Sequence, residues 1–116
     1  MILVSNRIFV APAHSAEFEH LFSTRARLVD GMPGFIANQL LRPTAAGDPY
    51  LVHTLWESRD HFVAWTRSKG FVDGNARTDS LPQGTFTQHP KLEIHEVFQT
   101  TLWPGVAKGN GADAAR

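Results

Sequence analysis

Two side chains bring chemistry into surroundings that are otherwise apolar. Asn6 interrupts the run Ile2-Leu3-Val4-Ser5-Asn6-Arg7-Ile8-Phe9-Val10. A carboxamide in a buried strand costs about 1–3 kcal/mol unless something hydrogen-bonds to it. Asn6 therefore asks for a partner, and a ligand would be one. Trp65 ends the passage Trp56-Glu57-Ser58-Arg59-Asp60-His61-Phe62-Val63-Ala64-Trp65, one helical turn beyond Phe62. A third group, Arg25, falls on the same helical face as Phe18, Leu21, Phe22 and Val29. It can lie along the edge of a core with its head in water, or reach an anionic group such as a carboxylate at the mouth of a pocket.

The histidines are weaker candidates. Glu17-x-x-His20 has the spacing of half a di-iron carboxylate site, but such a site needs a second copy and two further Glu residues. One copy in the first turn of a helix reads as a solvated pair. His14 and His20 read as surface groups, and His95 faces either solvent or a subunit seam. His53, between Val52 and Thr54, reads as a satisfied buried imidazole. His61 and His89 lie near a helix and an irregular stretch, within reach of a pocket or of solvent. There is no Gly-rich phosphate loop, no HExxH and no nucleophile elbow.

Composition narrows the field. With 116 residues, 42% hydrophobic and 19% charged, the chain has the make-up of one globular domain with one core. Lys plus Arg and Asp plus Glu number 11 each, so no basic field draws it to nucleic acid or to an anionic membrane. The absence of Cys excludes disulfides, thiolate metal sites, iron–sulfur clusters and a Cys nucleophile. Neither a membrane span nor a signal peptide is expected, which points to the cytoplasm.

The elements that must position these residues follow from periodicity. Residues 2–10 read as a strand, and residues 16–31 as an amphipathic helix capped by Ser15 and stopped by Pro33-Gly34. Residues 35–42 and 50–56 form a hairpin across Pro43 to Pro49. Ser58 caps a shorter helix that runs out near Gly70. Residues 71–90 read as irregular and 91–102 as a last long strand. The expected domain spans residues 1–103, with 104–116 a disordered tail. The order β-α-β-β-α-β is the α+β, ferredoxin-like split βαβ arrangement, a four-stranded antiparallel sheet with two helices on one face. In the third strand Tyr50, Val52, Thr54 and Trp56 alternate with Leu51, His53 and Leu55. Two helices cover one face only, so a homodimer with the sheets packed face to face, a dimeric α+β barrel, is expected.

These segments resemble the antibiotic biosynthesis monooxygenase superfamily, and within it the IsdG-type heme-degrading monooxygenases. The resemblance is carried by Asn6-Arg7-Ile8, Phe22-Ser23-Thr24-Arg25, Pro33-Gly34-Phe35, Leu40-Leu41-Arg42-Pro43, Tyr50 through Ser58, and Phe62-Val63-Ala64-Trp65. It implies that heme is both substrate and cofactor, opened by O2 with an external electron donor or reductase to release iron and a linear tetrapyrrole. By the same resemblance Asn6 and Trp65 are catalytic: Asn6 donates from its NH2 toward dioxygen at the iron, and Trp65 presses on and distorts the macrocycle. Phe22 lines the pocket and Arg25 sits near the propionates. The family's axial His, nine or ten residues after the Trp, falls on Gly74 and Asn75. Asn75 thus occupies a heme-binding position without being a ligand that iron favours, and Gly74 is expected to weaken the helix there. His89 or His53 would have to ligate the metal instead. The alternatives are a cofactor-independent monooxygenase of the same superfamily acting on a polycyclic phenol, and a non-catalytic heme-binding module.

Overall fold

In a computed structural model, residues 1–101 are described. The segment 104–116, read above as a tail, lies outside the described residues. Four strands, β1 (Ile2–Ile8), β2 (Phe35–Leu41), β3 (Tyr50–Trp56) and β4 (Lys91–Glu96), form one antiparallel sheet in the order β2-β3-β1-β4. Three helices accompany it: α1 (Ser15–Arg25), α2 (Arg59–Thr66) and α3 (Lys69–Asp79). The ferredoxin-like α+β fold is thus present with three helices instead of two.

Register assigns each strand residue to a face. Ile2, Val4, Asn6 and Ile8 pair with Trp56, Thr54, Val52 and Tyr50, and this is the face that packs under the helices. Its apolar side chains form two clusters. Ile2, Val4, Val29, Trp56 and Trp65 make one. Ile8, Phe18, Phe22 and Tyr50 make the other, with the Phe18 ring 4.4 Å from Phe22 and 4.7 Å from Tyr50. Asn6 stands between Val4 of the first cluster and Ile8 of the second. On the opposite face the polar row Gln39, His53, Ser5 and Glu93 runs between Leu3 and Leu55 on one side and Leu41 and Leu51 on the other.

Four boundaries depart from expectation, each for a local reason. A 3-10 turn over Pro12–His14 runs straight into α1, so Ser15 is already inside the helix, and its Oγ donates to Pro12 O at 2.6 Å instead of capping. The first helix is α-helical only to Arg25. It tightens into a 3-10 turn over Ala26–Val29, and the chain leaves it through an extended Asp30 and a left-handed Gly31. Helix α3 forms where irregular chain was expected, because Ser68 caps it by accepting from Phe71 N, and Phe71 seats edge-on against Trp65. Strand β4 stops at Glu96, before Leu102: Glu96 pairs with Ile2, where β1 starts, and Val97 N donates to Met1 O. The stretch before β4 is tied to the end of β1 by Ala11 N to Thr85 O, Thr87 N to Phe9 O and a bridge between Val10 and Phe86.

Helix α1 is fastened to the hairpin by one acidic group. The Glu19 carboxylate accepts two hydrogen bonds from Arg42, at 2.8 and 2.6 Å, and one from Tyr50 Oη at 2.5 Å. These donors hold its pKa down from 4.5 to about 2. Burial, and donation to Glu19, push the Tyr50 phenol up. A carboxyl that titrates lower when folded stabilises the fold above its unfolded pKa and loses that contribution as pH falls through the folded one. Denaturant midpoints measured from pH 6 downward should therefore fall between pH 4.5 and about 2, and Glu19→Gln should flatten that part of the profile. Tyr50→Phe should cost about 1–2 kcal/mol at neutral pH, read from the same unfolding curves.

Candidate active site

Between the sheet and the helices lies a cavity of about 910 Å3. Val4, Asn6 and Ile8 of β1 form its floor with Val52 and Thr54 of β3 and Asn38 and Leu40 of β2. Phe22 and Arg25 of α1, Phe62 and Trp65 of α2, and Phe71, Asn75 and Thr78 of α3 roof it. The segment 86–90, which carries His89, forms the remaining wall. Asn6, Phe22, Arg25, Trp65, Asn75 and His89 therefore meet in one space, although up to 83 positions separate them in the chain.

Asn6 is half-buried, and its carboxamide has no partner among the described residues, so both its N–H donors and its oxygen are free toward the cavity. Trp65 is held at a set angle. Its ring stacks 6.5 Å from Trp56 at 29°, Phe71 meets it edge-on at 5.6 Å, and the bare backbone of Gly70 lies against its rim. Trp56 itself is wholly buried, with its indole N–H donating to Thr54 Oγ1 at 3.0 Å. The Trp65 plane thus rests on a rigid aromatic wall.

Arg25 crosses from α1 to α3. Nη1 donates to Thr78 Oγ1 at 2.7 Å and Nη2 to Asn75 Oδ1 at 2.9 Å, while the guanidinium carbon stands 5.0 Å from the centre of the Phe22 ring. Burial lowers its pKa, and the charge of Asp79 partly offsets this. No carboxylate forms a salt bridge with it among the described residues. This is a fixed cation whose hydrogen bonds go to neutral groups, and it remains available to an anion. Gly74 permits the crossing: a Cβ there would lie 2.7 Å from Arg25 Nε and 3.2 Å from its Cγ. The glycine expected to weaken the helix is instead the notch through which Arg25 passes.

The two candidate imidazoles separate. His89 lines the cavity, whereas His53 is out of phase with Val52 and Thr54 and lies on the other sheet face, paired with Ser5 and Gln39. His61 stays in its own turn, with Nδ1 2.7 Å from Ser58 Oγ and its ring packed on Gly34, where a Cβ would come within 2.1 Å. Glu17 pairs with His14 at 2.9 Å and not with His20. Sequence reasoning missed Asn38, Thr54 and Thr78 as cavity residues. The alternation that singled out Asn6 would have found Asn38, which pairs with Thr54 in the same inward phase.

An antiparallel sheet covered on one face by helices, with a largely apolar cavity holding a free carboxamide, an indole plane and a half-buried cation, is an α+β scaffold with a ligand-sized site. The chain belongs to the antibiotic biosynthesis monooxygenase family, whose profile matches residues 1–77. It is 43% identical over 60 residues to a mycobilin-producing heme oxygenase of Mycobacterium tuberculosis, a match that covers 52% of this chain and 57% of that protein. The structure of the heme-degrader MhuD from Mycobacterium tuberculosis, with two hemes bound in its active site, superimposes with a TM-score of 0.70 at 31% identity, covering 87% of this chain and 99% of that one. SnoaB, a cofactor-independent oxygenase from Streptomyces nogalater, also gives a TM-score of 0.70, at 25% identity over 85% of this chain and 94% of that one.

The contact between Arg25 and Gly74 predicts a change of sign. Gly74→Ala alone should destabilise by about 1–3 kcal/mol, because overpacking outweighs the gain in helix propensity. In an Arg25→Ala background the same substitution should stabilise by up to about 1 kcal/mol. Urea unfolding of the four proteins of the cycle measures both.

Proposed function

We propose that this protein is a heme-degrading monooxygenase, with heme as substrate and cofactor, O2 as oxidant and an external donor or reductase as the source of electrons. The observation that carries the reading is the convergence of Asn6, Phe22, Arg25 and Trp65 on one cavity. The residues present fit such a ligand. The walls are largely aromatic, the volume lies in the usual range for a cofactor pocket, and one half-buried cation faces the interior.

Heme, when bound, supplies the iron at which O2 is activated and the ring that is opened. The chain supplies binding and orientation. Arg25 pairs with a propionate, held out toward it by Asn75 and Thr78. Phe22 and Trp65 would hold the ring, and Trp65, backed by Trp56, is placed to bend it. Asn6 directs its NH2 over the floor of the cavity, where a hydrogen bond stabilises developing charge on oxygen. His89 is the imidazole that lines the cavity and would hold the iron; Asn75, with its oxygen engaged by Arg25, would serve the carboxylate end.

Asn75 also favours a second reading. A pocket without the family's axial His suits a cofactor-independent oxygenase acting on a polycyclic phenol, and SnoaB shares the fold. In that case the substrate itself reduces O2, and Asn6 and Trp65 orient it. In either case the uncovered sheet face, with Leu3, Leu51 and Leu55 around Ser5 and His53, suits a second copy of the chain, and the working form is a homodimer. No helix among the described residues is long and apolar enough to cross a membrane. A cytoplasmic location accords with the need for a soluble reductant.

The deciding experiment is a hemin titration followed at the Soret band, with ascorbate then added in air. A saturable shift at one heme per chain, followed by loss of the band, is expected. A shift without loss would indicate a heme-binding module, and no shift the cofactor-independent reading. Asn6→Ala should keep the shift and slow the loss about 100- to 1000-fold, the range for removal of one positioned donor. His89→Ala should alter the ferric spectrum while His53→Ala leaves it unchanged; the reverse result would remove His89 as ligand.

A further inference from the structure

Asn38 carries a feature that the proposed reaction does not use. Its side chain lines the cavity beside Thr54, and Nδ2 makes one long hydrogen bond, 3.3 Å, to Ala26 O at the end of α1. Its Oδ1 is shielded from solvent and has no partner, the one such buried side-chain atom among the described residues. An orphaned buried acceptor is unfavourable, and a native structure that retains one holds it ready for a donor. Thr54 Oγ1 accepts from Trp56 and makes no hydrogen bond with Oδ1. Among the described residues the carboxamide makes no other hydrogen bond, and a turn about its terminal torsion, which is broad for Asn, would present Oδ1 to the cavity.

The chemistry of the proposed ligand says which donor. In heme all four pyrrole nitrogens are bound to iron and none carries hydrogen, so heme offers Oδ1 nothing. A linear tetrapyrrole freed of iron carries pyrrole and lactam N–H groups along one edge. We infer that Asn38 is a product-binding residue, whose Oδ1 accepts a hydrogen bond from an N–H of the opened tetrapyrrole and leaves heme unengaged. This rests on the reading that the cavity handles heme. It deepens that reading by giving the site a group that distinguishes the end of the reaction from its beginning.

The test compares biliverdin, a linear tetrapyrrole with N–H donors, and hemin, which has none, by difference absorption on purified wild type and Asn38→Leu. One neutral hydrogen bond corresponds to about a 3- to 10-fold change in dissociation constant. Biliverdin should bind Asn38→Leu that much more weakly, while hemin affinity changes less than about twofold. Asn38→Val, which also has no acceptor, should behave alike and serves if the Leu variant fails to fold. Equal losses for both ligands, an unchanged biliverdin affinity, or no biliverdin binding by wild type would each overturn the inference. Failure of hemin alone to bind, with the biliverdin difference intact, would overturn the heme reading and leave the acceptor role of Asn38 supported.

Discussion

A cation lodged between two helices constrains much of this structure. The Arg25 guanidinium is half-buried and faces a cavity, where an unpaired charge would be costly. Its hydrogen bonds are supplied by one face of α3, through Asn75 and Thr78, and its aliphatic stem needs the absent Cβ of Gly74. That requirement fixes where α3 lies across the end of α1. It also accounts for the cavity being roofed: with the two helices joined at this point, Phe22 and Phe71 are held over the sheet.

The floor obeys a complementary rule. The helix-facing side of the sheet has enough apolar area for a continuous core, yet its side chains gather into two clusters with Asn6 between them. A carboxamide at that position, with the Arg25 guanidinium in the roof, disfavours collapse of the helices onto the middle of the sheet, because closing the gap would bury an unpaired amide and further desolvate a charge. The space is kept open by polar groups that are costly to cover. It is kept in shape by the aromatic stack of Phe35, Trp56, Trp65 and Phe71.

What the sequence made legible follows the range of each interaction. Strands β1, β2 and β3 and helix α2 are written in local alternation and in the Ser58 cap, which accepts from His61 N. The cavity residues of β1, α1 and α2 followed from the same periodicity, with resemblance supplying their roles. The failures are tertiary. Helix α3 was hidden because Gly70 and Gly74 look like helix breakers, whereas both are places where Trp65 and Arg25 come close to backbone. Their meaning depends on partners up to 49 positions away. His53 was misplaced as a ligand candidate through phase: alternate residues of β3 face the cavity, and His53 is not among them. The end of β4 depends on where β1 begins, which no window of residues 91–102 contains.

The divided core separates two kinds of inheritance. Residues that hold the fold together, such as Trp56, Phe18, Tyr50 and Glu19, lie in the clusters and in the Glu19–Arg42–Tyr50 link, while Asn6, Leu40 and His89 line a gap that contributes little to cohesion. Mutation can therefore rewrite floor residues outside the clusters, such as Asn6 and Leu40, and the segment 86–90 at less risk to the stability threshold than changes within the clusters. A scaffold of this kind can change its chemistry through a handful of substitutions while its outline persists. A heme-degrader and a cofactor-independent oxygenase can accordingly share equal structural likeness to one chain.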